Sequence, residues 1–276
     1  MRFGPVARFA TPAVVVSLMI CVAPSVAQSV GSDVDATPPF VTDRPTVSFA
    51  PVVVPPGLFQ LEMGTVFSRV GSGSGATERL AVPDLLARFG VTGTVELRLI
   101  AAGWRVEDSD EGRTDGLSDV ALSTKIVLSE GRSGRPATGL IFDLSLPLGS
   151  SEFSSGHVIP RGLFLVSTSL GRGVDLVANT GATLVIEDVG DRTERSADLS
   201  YSAVVSGSVG GGVGLFGELY GVFPTTSRRD EAHDVQAGVT ALVSRRVQLD
   251  LRVGAGLWEE GSDWLVGAGV AFRVPR

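Results

Sequence analysis

The sequence predicts an all-β fold: an antiparallel up-and-down transmembrane β-barrel of twelve strands. Three observations carry that expectation. From residue 58 onward, apolar and polar residues alternate at period two in segments of about ten to thirteen residues, the spacing that gives a strand one apolar and one polar face. The connections between segments alternate between long polar stretches and tight turns, as in a meander that crosses a membrane. The chain is apolar in balance, with mean hydropathy +0.29 and only 19% charged residues, yet its later part has no apolar run long enough for a transmembrane helix.

The first residues have a different character. Met1 to Ala27 reads as a secretory signal peptide, with Arg2 and Arg8 before an apolar stretch Ala13 to Val22 and small residues Ser25 and Ala27 before a cut at Gln28. Cleavage there removes Cys21, the one cysteine, so thiol chemistry, disulfides and Cys-ligated metals drop out. Residues 28–57 form a Pro-rich lead segment expected either in the periplasm or folded into the barrel's lower mouth in contact with the lumen, where it would leave a narrow or blocked pore. Pro38-Pro39 and Pro55-Pro56 exclude a central strand or long helix there. Within it, Thr42-Asp43-Arg44-Pro45 reads as a turn with a local Asp–Arg contact.

The barrel occupies 58–276. Its strands are expected at roughly 58–70, 78–89, 94–105, 117–129, 136–148, 160–170, 173–187, 195–208, 211–223, 232–244, 247–257 and 262–274. In the first, Phe59, Leu61, Met63 and Phe67 oppose Gln60, Glu62, Gly64 and Ser68. Residues 106–116, 149–159, 188–194 and 224–231 are expected as long outer loops, and both chain ends fall on the periplasmic side. A soluble β-sandwich would alternate similarly, with its apolar faces turned inward. Lipid favours the closed barrel, because only closure satisfies every backbone group, and charge on a lipid face costs about 2–4 kcal/mol at midplane.

Several stretches together resemble a known family. TDRPTVSFAPVVVPPGLFQLEMG at 42–64, LLARFGVTGTVELRL at 85–99, GLSDVALSTK at 116–125, LSLPLGSSEFSSG at 144–156, LFGELYG at 215–221 and LDLRVGAGL at 249–257 are similar to the outer-membrane group labelled "meta-pathway of phenol degradation", whose members are called transporters. The resemblance implies an outer-membrane β-barrel and leaves its cargo open. The chain departs from the common barrel ending, since Phe272 is followed by Arg273, Val274, Pro275 and Arg276.

Function is expected on the inner face. The lumen-lining candidates are Glu62, Arg88, Glu96, Arg98, Asp119, Lys125, Asp143, Asp175, Glu218, Tyr220, Asp234, Asp250 and Arg252, with Arg161 beside them. Both signs occur on neighbouring strands, so cross-strand pairs are expected. Acids outnumber bases, which suggests mild cation preference. Phe216 and Tyr220 flank Glu218 as a surface on which an aromatic solute could stack. The net charge of −7 argues against nucleic acid. His157 and His233 are far apart and no cysteine remains, so no catalytic, metal or cofactor site is expected. The acidic run 107–111 reads as a solvated loop. The resulting expectation is a non-enzymatic channel or transporter of the outer membrane for passive passage of small solutes, hydrophobic or aromatic ones included. A non-conducting structural or adhesion barrel and an outer-membrane hydrolase are the alternatives. Expected partners are outer-membrane lipid, a small-molecule solute, and the barrel assembly machinery during biogenesis.

Overall fold

The computed structural model describes residues 40–71, 75–132, 134–226, 229–257 and 262–274. The expected signal peptide and residues 28–39 lie outside them. Fourteen strands are described: β1 Phe59–Val70, β2 Thr77–Gly90, β3 Val95–Ala101, β4 Trp104–Ser109, β5 Gly112–Leu117, β6 Val120–Glu130, β7 Ala137–Leu146, β8 Ile159–Gly171, β9 Val174–Val189, β10 Arg192–Gly210, β11 Val213–Pro224, β12 Ala232–Ser244, β13 Val247–Gly256 and β14 Ser262–Val274. β1, β2, β3 and β6 to β14 pair antiparallel with their neighbours, and β1 pairs with both β14 and β2, so twelve strands close a barrel. Tight turns and both ends of the barrel chain share one rim, periplasmic in a barrel of this class.

The barrel is inside out relative to a soluble domain. Leu97, Leu122, Phe142, Leu251 and Val253 stand about half exposed on the outer face, whereas Glu62, Arg88, Glu96 and Lys125 are buried to within 1% of full burial. Such an outer face suits hydrocarbon and excludes the sandwich. Aromatic residues mark its upper margin, where Phe67 packs edge-on against Trp264 at 5.2 Å. Tyr201, Phe223 and His233 form a second cluster.

Two expected loops are strands instead. Residues 106–116 are mostly the β4–β5 hairpin, and 188–194 continue β9 and β10 up to a turn at 190–191. Projecting above the membrane, these segments have no lipid face, so they lack the alternation that marks the others. β4 is offset from β3 by a break at Ala102-Gly103, and Gly103 has φ +58°, which a side chain rarely adopts. β5 pairs with β4 alone, while β6 pairs with β3 and β7. The wall therefore steps at Ser118-Asp119. The β7–β8 connection is stitched across that step: Ser150 N donates to the Leu117 carbonyl at 2.8 Å, and Asp119 accepts from Gly149 N at 3.0 Å and Ser155 N at 2.9 Å.

Candidate functional site: a charged lumen around the lead segment

Residues 40–57 run inside the barrel. They enter beside β14 and β1, cross to β11, β10 and β9, and return past β3 to Gly90. Their prolines and extended backbone leave amide groups that no ladder satisfies, and a buried amide needs an acceptor. The wall supplies acceptors from its glutamates. Glu62 accepts from Asp43 N at 2.9 Å and Arg44 N at 2.8 Å. Glu218 accepts from Val47 N at 3.0 Å and Ser48 N at 2.6 Å, and Glu96 from Val54 N at 2.7 Å. Asn179 Oδ1 accepts from Phe49 N at 2.7 Å, and its Nδ2 donates to the Phe49 carbonyl at 3.0 Å.

The cations of the wall converge on Asp43. Lys125 Nζ lies 2.8 Å and Arg98 Nη2 3.0 Å from its Oδ2, and Arg88 Nη1 lies 3.6 Å from its Oδ1. Arg88 also reaches Glu62 and Glu96, each at 2.9 Å. Burial pushes the Asp43 carboxyl up, but the charges of Arg88, Lys125 and Arg98 outweigh it and hold the group below its ordinary value. Apolar contact completes the seat: Phe49 packs on Ile141, Leu163 and Leu165, Ala50 on Val177, Val204 and Phe216, and the Arg98 guanidinium lies 4.7 Å from the Phe49 ring centre.

The expected local Asp43–Arg44 contact is therefore wrong. In extended chain, successive side chains point opposite ways: Asp43 faces β3 and β6, while Arg44 Nη1 reaches Asp84 at 2.6 Å and Nη2 reaches Asp250 at 3.4 Å. Arg252 Nη1 donates to the Pro45 carbonyl at 2.6 Å. The wall is stripped of side chains here. A Cβ on Gly269 would come within 2.7 Å of the Arg44 guanidinium, and one on Gly64 would collide with it.

The other candidates are placed as follows. Asp143 pairs with Arg161 across β7 and β8, with Nε 2.6 Å from Oδ2. Asp234 is buried and accepts from Ser262 N at 2.9 Å. Tyr220 is half-buried on β11. Asp119 is not part of the central lumen, since its carboxylate is used at the wall step. Asp175 stands exposed at the periplasmic rim. Cross-strand pairs exist at Arg88–Glu96 and Asp143–Arg161, but most of the central charges meet on the lead segment. The acid excess that suggested cation preference is taken up by its amides. Glu107, expected in a solvated loop, pairs with Arg79 at 3.1 Å. Sequence reasoning left Asp84, Gln60 and Asn179 out of the lumen-lining set and gave Asp43 and Arg44 only a local turn contact, yet all five hold this arrangement together.

Space for solutes is left among the described residues at both ends of the lumen. A cavity of about 690 Å³ opens at the periplasmic end, where Arg44, Ser48, Arg132, Arg135, Asp175 and Phe216 contribute to its walls. One of about 320 Å³ lies in the outer half, against Ser68, Arg79, Asp84, Arg105 and Glu107.

A family model described as "Putative MetA-pathway of phenol degradation" matches residues 42–274. Its span starts within the lead segment and runs through the barrel. No curated protein matches the chain. Among solved structures, the COG4313 outer membrane channel from Pseudomonas putida F1 superposes with TM-score 0.61 at 14% identity, over 81% of this chain and 98% of that one. The NanC porin gives 0.55 at 9% identity, over 78% and 100%, and the KdgM porin 0.51 at 10%, over 77% and 98%. At these identities the likeness is one of fold.

Proposed function

The chain belongs to the family whose model it matches, and from that membership and the lumen we propose that it is a passive channel of the outer membrane for small solutes, narrowed by its own lead segment. The observation that carries this reading is the pair of cavities inside one closed barrel, about 690 Å³ beside the segment at the periplasmic end and about 320 Å³ in the outer half. Twelve strands enclose more space than side chains alone would fill in an eight-stranded barrel, and less than the wide bore of a porin with sixteen or more. The lead segment takes up most of the difference. The family relation and the folds of the similar channels and porins support passage over a structural role. The protein performs no chemistry of its own on the solute. Residues 1–27 direct export and are removed, and the assembly machinery inserts the barrel.

One feature favours apolar solutes among those carried. The outer edge of β5 has no ladder partner among the described residues, and Leu117, Leu148 and Val158 stand 45–65% exposed around the step below it. That step is bridged by the β7–β8 connection in place of a strand ladder, which makes it the weakest part of the wall and the place where an apolar molecule would enter from lipid.

Conductance of the refolded chain from residue 28 in a planar bilayer tests the reading. Small discrete steps are expected. Folded, inserted protein that passes neither ions nor, in liposome swelling, small neutral solutes would overturn it.

A further inference from the structure

We propose that the Arg44–Asp84 ion pair is the constriction of the passage and selects small organic carboxylates, which pass by taking the place of Asp84 on the Arg44 guanidinium. This rests on the passage reading above. Arg44 borders the periplasmic cavity and Asp84 the outer one, and their side chains meet at 2.6 Å, so this pair joins the linings of the two. It is unevenly buried: the Asp84 side chain is 35% exposed and that of Arg44 7%. A solute arriving from outside reaches the carboxylate half and finds the cation behind it.

Arg44 also has a second place to rest. Its Nη2 is already 3.4 Å from Asp250 Oδ1, and both Arg44 Nε and Asp250 Oδ2 are buried without a hydrogen-bond partner. The two unpartnered atoms flank one spot, since a Cβ on Gly269 would lie 2.7 Å from Nε and 2.8 Å from Oδ2. A short swing gives the two-pronged arginine–carboxylate geometry with Asp250. Loss of Asp84 therefore leaves no bare charge in the lumen. The backbone at Arg44 stays tied by Glu62 and, through Pro45, by Arg252.

The sign of the selected solute follows from which charge is fixed at the narrow point. A cation would have to squeeze past a held guanidinium, which excludes it, whereas an anion can be handed across it. The outer cavity offers the first contact: Arg79 is paired with Glu107, but Arg105 has no ion-pair partner among the described residues. A carboxylate drawn to Arg105 moves to Arg44 as Asp84 lets go. It then leaves into the larger cavity, past Arg132 and Arg135.

The test is ion preference and flux of the whole exported chain in planar bilayers and liposomes, with benzoate against benzylammonium as probes. Wild type is expected to pass benzoate several-fold faster than benzylammonium. Asp84→Asn, which removes the competing carboxylate, should raise conductance and shift the reversal potential further toward anions, and Arg44→Gln should abolish the preference. Heat-modifiable migration on gels confirms that each barrel is folded. Equal passage of the two probes by wild type, or an Asp84→Asn channel with wild-type conductance and preference, overturns the proposal. A deletion of 40–57 separates the two readings, with Asp43→Ala in its place should the deletion not fold. Current in that control with no effect of Asp84→Asn defeats the constriction alone. No current in either wild type or control defeats the passage as well.

Discussion

The centre of the lumen and the outer hairpins carry the same residue types and use them in opposite ways. At the centre, Arg88, Glu62 and Glu96 have side chains at 0% exposure and ion-pair distances of 2.9 Å. Above the membrane, Arg79 and Glu107 meet at 3.1 Å with side chains 49% and 38% exposed, and Arg69 and Glu78 at 3.7 Å with 36% and 49%. The central charges have no water to fall back on, so each is committed to a partner, and losing a partner strands the other. The outer charges keep their hydration and lose little when separated. The centre can therefore hold a segment in place, and the outer hairpins cannot.

The largest expected effect follows from Asp43→Ala. It strands Lys125 and Arg98 beside Arg88, and breaking a buried pair in this way costs about 3–5 kcal/mol. The barrel ladders do not include Asp43, so the loss falls on the seating of the lead segment. The variant should migrate as a folded barrel but show larger conductance steps and faster proteolysis within 40–57. A folded variant with wild-type current and cleavage would show that the ion cluster does not hold the segment.

Acid should reach the same endpoint more slowly. The Asp43 carboxyl sits below its ordinary value when docked, so its contribution is fully present above the ordinary carboxylate range and is lost only as pH falls through the lower, docked value. Channel steps recorded from pH 7 downward should stay small through the range where free aspartate titrates, near 3.8, and widen only below it. Widening between pH 6 and about 5, well above an aspartate's ordinary range, would assign the latch to another group.

Glu218→Gln is expected to have an intermediate effect. The amide keeps one oxygen for Val47 N and Ser48 N but loses the charge, and its nitrogen faces the donor Nε2 of Gln236. Hydrogen bonds to a charged group contribute about 1.5–3 kcal/mol, so the cost should be about half that of Asp43→Ala. Proteolysis should rise near Val47 and Ser48 before it rises near Val54, which Glu96 holds separately.

These effects also mark what the sequence made legible. Strands facing lipid on one side must alternate, so the twelve barrel strands could be placed to within a few residues. β4 and β5 face water on both sides, and EDSDEGRTDG therefore read as a loop. Glu62, Glu96 and Glu218 were recognisable as inward-facing, but their partners are backbone amides, which leave no mark on the residue pattern. The available signal was the surplus itself. Inward acids without matching bases need donors, and a Pro-rich stretch of unladdered amides stands next to them in the chain. The adjacency of Asp43 and Arg44 misled, because neighbours in sequence are not neighbours in extended structure.

The smallest effect tests the outer half of the comparison. Arg79→Ala removes a pair whose members are both more than a third exposed, and pairs of this kind contribute about 0–1 kcal/mol, screened further by salt. The β2–β4 ladder around it persists through backbone bonds, with Arg79 opposite Glu107 and Leu80 opposite Val106. Thermal stability and lead-segment proteolysis should therefore match wild type. Glu107, left without Arg79, would turn toward Arg105 across the same outer cavity. If those two charges pair, anion capture at the mouth weakens while the barrel and the seated segment do not change. A small drop in benzoate flux at low salt that disappears at high salt is the expected signature. A change in stability instead would mean that the outer hairpins bear on the fold of the barrel below them.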